Sequence, residues 1–361
     1  MTLTVSLKHN FPGFSLDVAF TAPPGLTVLF GPSGSGKTTI INALAGLFQP
    51  HTGEIRISDQ TLFDSARTLC LPPSKRRLGY IFQEPRLFPH LTVEQNLLYG
   101  RRFAPKNLPS ESPGHIIDML GIGHLLPRRP AGLSGGEQAR VAIGRAVLAS
   151  PQLILADEPL SALDEARKAE ILPYFERLRD ELSLPILYVS HSAAEVARLA
   201  TTIIVLEHGR VTRSGTAADV LGDPHVAPMG IREVGAVLEA TVTAHHEDGL
   251  TELCAGDARL FLPRAPQAPG EQIRIRIAAH DVILSLGKPA GLSALNILEG
   301  QVEAIRAGAG PGVLVSLQTS AGRVLARITR RSADALGLAQ GTHCHAVIKS
   351  VAIAPQDISP G

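Results

Sequence analysis

Tryptophan is absent from the 361-residue chain, and aromatic residues make up only 4% of it. So few rings offer little for bases to stack on, which disfavours a binder of single-stranded nucleic acid. A surplus of one charge is also missing. The 34 basic and 33 acidic residues leave a formal net charge of +1, whereas proteins that work on DNA or RNA carry a clear basic excess. No nucleic-acid partner is expected. Cysteine is scarce: Cys70, Cys254 and Cys344 lie far apart, and no Cys-x-x-Cys spacing occurs. Neither a disulfide framework nor a zinc site is suggested. Residues 1–10 alternate polar and apolar and lack the charged-then-apolar layout of a signal peptide, so they read as a strand. The longest apolar runs, such as 26–30 and 203–206, fall far short of the roughly 20 residues a membrane helix needs. The expectation is a soluble chain that meets a membrane only through a partner.

What is present suits packed interiors. Hydrophobic residues are 44% of the chain, and its length fits two domains better than one core. Residues 26–30, 153–156 and 186–189 are short, largely apolar runs separated by helical stretches. Buried strands alternating with helices indicate an α/β layer structure with a largely parallel sheet, whose functional groups gather at the carboxyl ends of its strands. After Asp223-Pro224 the pattern changes. From Val234 onward β-branched residues and period-2 alternation dominate, most cleanly in Gln272-Ile273-Arg274-Ile275-Arg276-Ile277. Turn signals at 247–249, 309–312 and 320–322 divide these runs into short strands, which suggests small β-barrels. Gly287 to Gly291, with Pro289, reads as a hinge between two β lobes. The expected division is residues 1–230, 231–288 and 289–355.

Gly31-Pro32-Ser33-Gly34-Ser35-Gly36-Lys37-Thr38 fits the phosphate-binding P-loop in full, after a strand and before a helix. Glycines let backbone N–H groups converge on phosphate oxygens, and the helix that follows aims its positive end at them. Lys37 is expected to reach the β- and γ-phosphates of ATP, the Thr38 hydroxyl to bind Mg²⁺, and Thr39 to complete the loop. Asp157 and Glu158 follow the apolar run 153–156. A carboxylate at a strand end beside a P-loop suits Mg²⁺, so Asp157 takes that role, and Glu158 is placed to accept a proton from the attacking water. The bland alternative for the pair is a helix cap.

Leu133-Ser134-Gly135-Gly136-Glu137-Gln138 resembles the signature sequence of ABC ATPases, lying just before a helix and upstream of Asp157. The resemblance covers roughly residues 1–230 and implies head-to-tail homodimerisation, with Ser134 and Gly136 of one subunit closing on the γ-phosphate held by the other. Gln83, after Gly79-Tyr80-Ile81-Phe82, resembles the glutamine that contacts Mg²⁺ and attacking water and senses the membrane partner. Ser161-Ala162-Leu163-Asp164 resembles the loop that crosses the dimer interface, and His191, in Ser190-His191-Ser192, the switch histidine at the γ-phosphate. Family likeness also implies an aromatic against adenine, for which both Phe11 and Phe14 qualify. By the same resemblance residues 87–93 correspond to the groove that receives a helix of the transmembrane permease, with ordinary core packing as the alternative for Phe88 and Leu91.

One ATPase with one β-rich tail resembles bacterial importer subunits. Residues 293–302, 326–333 and 346–351 are similar to a molybdate-binding domain of the Mop type, so the fold expected is an α/β P-loop ABC ATPase domain followed by an all-β, OB-like (Mop/TOBE-type) domain. Together the two parts resemble ATP-binding subunits of molybdate importers, peripheral proteins on the cytoplasmic face of the inner membrane that work with permease subunits and, indirectly, an extracytoplasmic molybdate-binding protein. Ser293, Thr329, Ser332 and Lys349 supply hydroxyls and a cation suited to an oxyanion. Many members have Ser-Ala-Arg-Asn where this chain has Ser293-Ala294-Leu295-Asn296, and losing that arginine should weaken a dianion site. Tungstate stays open beside molybdate. So do importers of sulfate, ferric iron or sugar, and, in another class, an ABC ATPase without a transport role.

Overall fold

The computed structural model describes residues 2–104, 111–182, 184–221, 235–307 and 310–360. The composition change at Asp223-Pro224, the 230/231 division and part of the turn at 309–312 lie outside the described residues. Two compact units form, Met1–His191 with Leu199–Ser214, and Ser192–Arg198 with Gly215–Gly361.

In the first unit the strands are β1 (Leu3–Phe11), β2 (Phe14–Ala22), β3 (Leu26–Phe30), β4 (Thr52–Ile57), β5 (Gln60–Asp64), β6 (Leu69–Cys70), β7 (Leu78–Ile81), β8 (Leu153–Asp157), β9 (Ile186–Ser190), β10 (Thr202–Glu207) and β11 (Arg210–Gly215). They form one sheet in the order β6-β5-β4-β1-β2-β11-β10-β3-β9-β8-β7. Helices α1 (Lys37–Ala45), α2 (Val93–Tyr99), α3 (Pro113–Leu120), α4 (Gly135–Leu148) and α5 (Glu165–Glu181) punctuate it. Sequence pattern decides which strands go where. In β1 only alternate residues, Leu3, Val5 and Leu7, are buried, as suits an antiparallel strand with one covered face. In β3 and β9 every residue is buried, matching the continuous apolar runs of parallel strands covered on both faces. Leu29, Leu155, Leu187, Val189 and Ile204 share a core with Ile40, Ile41 and Leu44 of α1.

Registers matter more than the inventory. β3, β9, β8 and β7 run parallel as neighbours, pairing Phe30 with Ser190, Val189 with Asp157 and Ala156 with Ile81. Their carboxyl ends are therefore level, and whatever follows each strand meets its neighbours at roughly the 4.8 Å strand spacing.

The second unit is built on two five-stranded sheets. One has β12 (Gly235–His245), β13 (Leu250–Ala255), β14 (Ala258–Pro263) and β15 (Gln272–Ala278); the other has β16 (Val282–Ser285), β17 (Asn296–Ala307), β18 (Gly312–Thr319), β19 (Gly322–Thr329) and β20 (His343–Ile348). Here the structure differs from a hinge at 287–291 between two lobes. β16, ahead of that segment, pairs with β20 in the later sheet, and β21 (Ile358–Pro360), beyond residue 355, pairs with β15 in the earlier one. One core, including Leu253, Ile275, Val315 and Ile348, serves both sheets. Asn296, fully buried, adds a polar staple: its amide accepts from Phe261 N at 2.7 Å and donates to Phe261 O at 2.8 Å. Short β runs mark where strands are, but not which sheet each joins.

Candidate functional site

The P-loop leaves β3 at Gly31. A Cβ there would lie 2.1 Å from the Leu206 carbonyl oxygen, so the close approach to β10 admits only glycine. Gly36 has φ 104°, a left-handed conformation that turns the chain into α1. Lys37 is only 4% exposed, and its Nζ donates to the carbonyls of Gly31 and Pro32, both at 2.8 Å. Burial pushes its ammonium below the ordinary lysine range, while the Glu158 and Asp157 carboxylates pull it back up. Ser35 is buried and its Oγ has no hydrogen-bond partner among the described residues, Thr39 is half-buried, and Ser33 and Thr38 face solvent.

Asp157 ends β8. Tyr80, from the neighbouring β7, donates its hydroxyl to Asp157 Oδ2 at 3.3 Å, whereas the buried Oδ1 has no hydrogen-bond partner among the described residues. Burial drives the Asp157 carboxyl above the usual aspartate range, and the Glu158 charge adds to this. The bond from Tyr80, the charge of Lys37 and the Thr38 hydroxyl act in the opposite direction. Burial and Asp157 together push the Tyr80 phenol up. Glu158 has φ 46°, unusual for a residue with a side chain. Its N–H reaches Val189 O at 3.2 Å, and its carbonyl accepts from Ser161 N at 3.1 Å and from Ser161 Oγ at 2.9 Å. This turn brings Glu158 Oε1 to 3.4 Å from His191 Nδ1, just past the end of β9.

Lys37, Thr38, Asp157, Glu158 and His191 thus converge at the carboxyl ends of neighbouring strands. The chemistry of these donors fits a phosphate chain with a hard divalent cation: a buried ammonium held only by loop carbonyls, a hydroxyl, and an orphaned carboxylate oxygen. Among the described residues no cluster of three or more Asp, Glu, His or Cys could hold a metal by itself. A cation at Asp157 would take its other oxygens from phosphate, hydroxyl, amide or water. Gln83, exposed after β7, continues the same row.

The signature lies at a different place. Ser134 caps α4: its Oγ accepts from Glu137 N at 3.3 Å, and its N–H donates to Glu137 Oε2 at 2.7 Å. That backbone bond, then the hydroxyl, hold the Glu137 carboxyl below its ordinary range. A Cβ on Gly135 would lie 3.6 Å from Leu163, so the signature neighbours the loop of Asp164, which itself caps α5 by accepting from Arg167 N at 2.9 Å. Gly136 is buried in the first turn. Of the two aromatic candidates, Phe14 lies against the P-loop, 3.2 Å from where a Cβ of Gly36 would be. Phe11 stacks on Phe48 at 5.5 Å. In the second unit Thr329 Oγ1 and Ser332 Oγ are 2.8 Å apart and cap the short helix Arg330–Ala335, while Ser293 and Lys349 are exposed. Leu295 is 54% exposed.

Two contributors escaped the sequence reading. Tyr80 bears on Asp157 only because β7 pairs with β8. Arg145, at the far end of α4, donates to the carbonyls of Pro85 and Arg86 beside the Gln83 segment. Period-2 spacing in β7 was the available signal for the first; nothing local marks the second.

Residues 16–161 match the ABC transporter family and residues 292–355 the TOBE domain. A molybdenum import ATP-binding protein of Rhizobium etli is 51% identical over 356 residues, spanning 98% of this chain and 99% of its own. The protein of that description from Rhizobium meliloti is 49% identical over 98% of this chain and 99% of its own, and that from Paramagnetospirillum magneticum 44% over 99% of each. Among solved structures, an ATP-binding cassette of an ABC transporter in its ADP conformation superposes with a TM-score of 0.53 at 25% identity, covering 63% of this chain and 96% of its own. A nucleotide-free ATP-binding cassette gives a TM-score of 0.53 at 25% identity over 64% of this chain and 99% of its own.

Proposed function

The chain belongs to the molybdenum import ATP-binding proteins, and from that we propose that it hydrolyses ATP to drive molybdate import through an ABC transporter. The observation that carries the mechanism is the level row of strand ends β3, β9, β8 and β7, with Lys37, His191, Glu158 and Gln83 following them in that order.

Residues 31–39 present the loop and helix N-terminus to the phosphates, and Lys37 exchanges its two carbonyl partners for β- and γ-oxygens. Thr38, Asp157 and Gln83 would hold Mg²⁺, which would supply positive charge to offset that of the phosphates. Glu158 accepts a proton as water attacks the γ-phosphorus; the bond from phosphorus to the β,γ-bridging oxygen breaks, leaving ADP and inorganic phosphate. His191, held by Glu158, donates toward the γ-phosphate. Ser134, Gly136 and Asp164 serve the nucleotide bound by a second copy, so the working unit is a homodimer, and residues 87–93 face the permease subunits. An extracytoplasmic binding protein delivers molybdate to that permease, and the chain itself works as a peripheral protein on the cytoplasmic side of the inner membrane. In line with this, no helix among the described residues is long and apolar enough to cross a membrane. Ser293, Thr329, Ser332 and Lys349 are the candidates for a regulatory oxyanion site, with Leu295 arguing against tight binding there.

The test is molybdate uptake at trace external concentration in cells whose only copy carries Glu158→Gln. Lost molybdate uptake with intact sulfate uptake is expected. Normal molybdate uptake in a strain without a second importer would move the cargo to sulfate, iron or sugar.

A further inference from the structure

The peptide unit joining Leu133 to Ser134 is held by side chains on both of its edges. On one edge Ser134 N–H donates to Glu137 Oε2 at 2.7 Å. On the other, Leu133 O accepts from Gln138 Nε2 at 3.2 Å. The same nitrogen donates to Pro130 O at 3.1 Å, a carbonyl that also accepts from Leu133 N at 3.1 Å. Both partners of Gln138 are carbonyls, so its amide must turn the NH₂ group toward them. Gln138 thereby ties the turn Pro130–Gly132 and the start of the signature to a point one turn inside α4. Little else fixes the approach to Ser134. Ala131 and Gly132 are exposed, and a Cβ on Gly132 would meet nothing within 4 Å. Leu133 is anchored by its buried side chain, but a planar peptide can still rotate between two placed residues, through ψ of the first and φ of the second.

We propose that Gln138 is a positioning residue for the signature: it fixes the Leu133–Ser134 peptide so that the Ser134 hydroxyl is aimed at the γ-phosphate of a second copy of this chain before the two copies close. This rests on the reading of Ser134 given above. A hydroxyl has one proton and two lone pairs. Ser134 Oγ uses a lone pair to accept from Glu137 N at 3.3 Å, so its proton is left to donate. Where that proton points depends on the backbone at Ser134, whose φ of −66° turns with the peptide plane that Gln138 holds. Glu137 secures the N–H edge of that plane and the hydroxyl, and Gln138 secures the carbonyl edge. Without Gln138 the plane rocks about a single edge and carries the Ser134 side chain with it. Donors already in place when a phosphate arrives need no reorganisation. Donors that must be ordered at contact weaken association by the freedom they lose.

The test takes the full chain with Glu158→Gln as its parent, so that ATP persists. To this it adds Gln138→Met, which keeps the length and loses the donors, or Gln138→Lys, which keeps donors. Dimer formation with Mg²⁺ and ATP is followed by sedimentation, and nucleotide affinity is measured separately on dilute, monomeric chain. Gln138→Met should weaken dimerisation by about tenfold or more and leave the affinity of the single subunit within about twofold. At high salt, which screens the added charge, Gln138→Lys should stay within about threefold of the parent. Added to Ser134→Ala, Gln138→Met should cost little more, because both act through one hydroxyl. Dimerisation by Gln138→Met equal to the parent, or full additivity with Ser134→Ala, overturns the proposal. A joint loss of dimerisation and single-subunit affinity makes Gln138 merely structural and overturns it too. If the methionine variant does not fold, Gln138→Lys decides the matter, and dimerisation as weak as that of Ser134→Ala sinks the idea. A parent that stays monomeric with Mg²⁺ and ATP would instead overturn the reading of the signature itself.

Discussion

At the residue scale, the site holds an unfavourable arrangement that only a ligand relieves. Burial and the Glu158 charge disfavour ionisation of Asp157, one of whose oxygens is bonded by Tyr80 while the other, Oδ1, has no partner among the described residues. Asp157→Asn should therefore stabilise the nucleotide-free protein by about 1 kcal/mol, or about 2–4 °C in melting temperature, by replacing a poorly solvated, incompletely bonded carboxyl group. The same change should abolish Mg²⁺-dependent hydrolysis. Melting curves with and without Mg²⁺ and nucleotide check both: wild type should gain stability on adding ligand, and the variant should gain little. A variant that melts lower than wild type would mean the charge is better solvated than the geometry implies. The residues of this cluster were legible in the sequence because a motif fixes their chemistry and strand ends fix their place. Tyr80 was not, since its hydroxyl acquires meaning only from the neighbouring strand.

At the scale of single elements, helix ends carry much of the design. The signature helix α4 starts with a reciprocal cap between Ser134 and Glu137, and Glu137 sits below its ordinary carboxyl range of 4.5. A depressed folded-state value means the contribution is present above the unfolded value and disappears as pH falls through the folded one. Glu137→Gln keeps a capping side chain but loses the charge, so it should cost about 0.5 kcal/mol or less at neutral pH. The gap to wild type should close as pH drops below about 4.5, which a series of urea melts would reveal. A gap that stays constant across that range would show that charge has no part in the cap. The other end of the phosphate helix α1 is closed by Arg76, whose Nη1 donates to Ala43 O at 2.6 Å and Leu44 O at 2.8 Å. No pattern in the sequence separates this buried arginine from the solvated ones, because the helix carbonyls it closes on are more than thirty residues away.

Across the whole molecule, the sequence conveyed two kinds of structure but missed how the second is threaded. Alternation in Gln272–Ile277 correctly marks a strand, yet nothing in it says that its outer neighbour is β21. Pairing partners are set by the shared core and by Asn296, and both are long-range. An engineered protease site placed between Ala290 and Gly291 should accordingly cut the chain without releasing two lobes. The fragments are expected to co-elute at native size and to separate only in denaturant, because β16 remains in the later sheet and β21 in the earlier one. Separation under native conditions would mean that the exchanged strands contribute little.

The exchange also has a bearing on synthesis. The outer edge of β15, finished at Ala278, has to wait until Ile358–Pro360 has been made before it is covered. At typical elongation rates that interval lasts on the order of ten seconds. Throughout it, a growing chain exposes an unpaired strand edge of the kind that recruits neighbours. On crowded polysomes, where many copies emerge side by side, this interval is when chaperone protection would matter most.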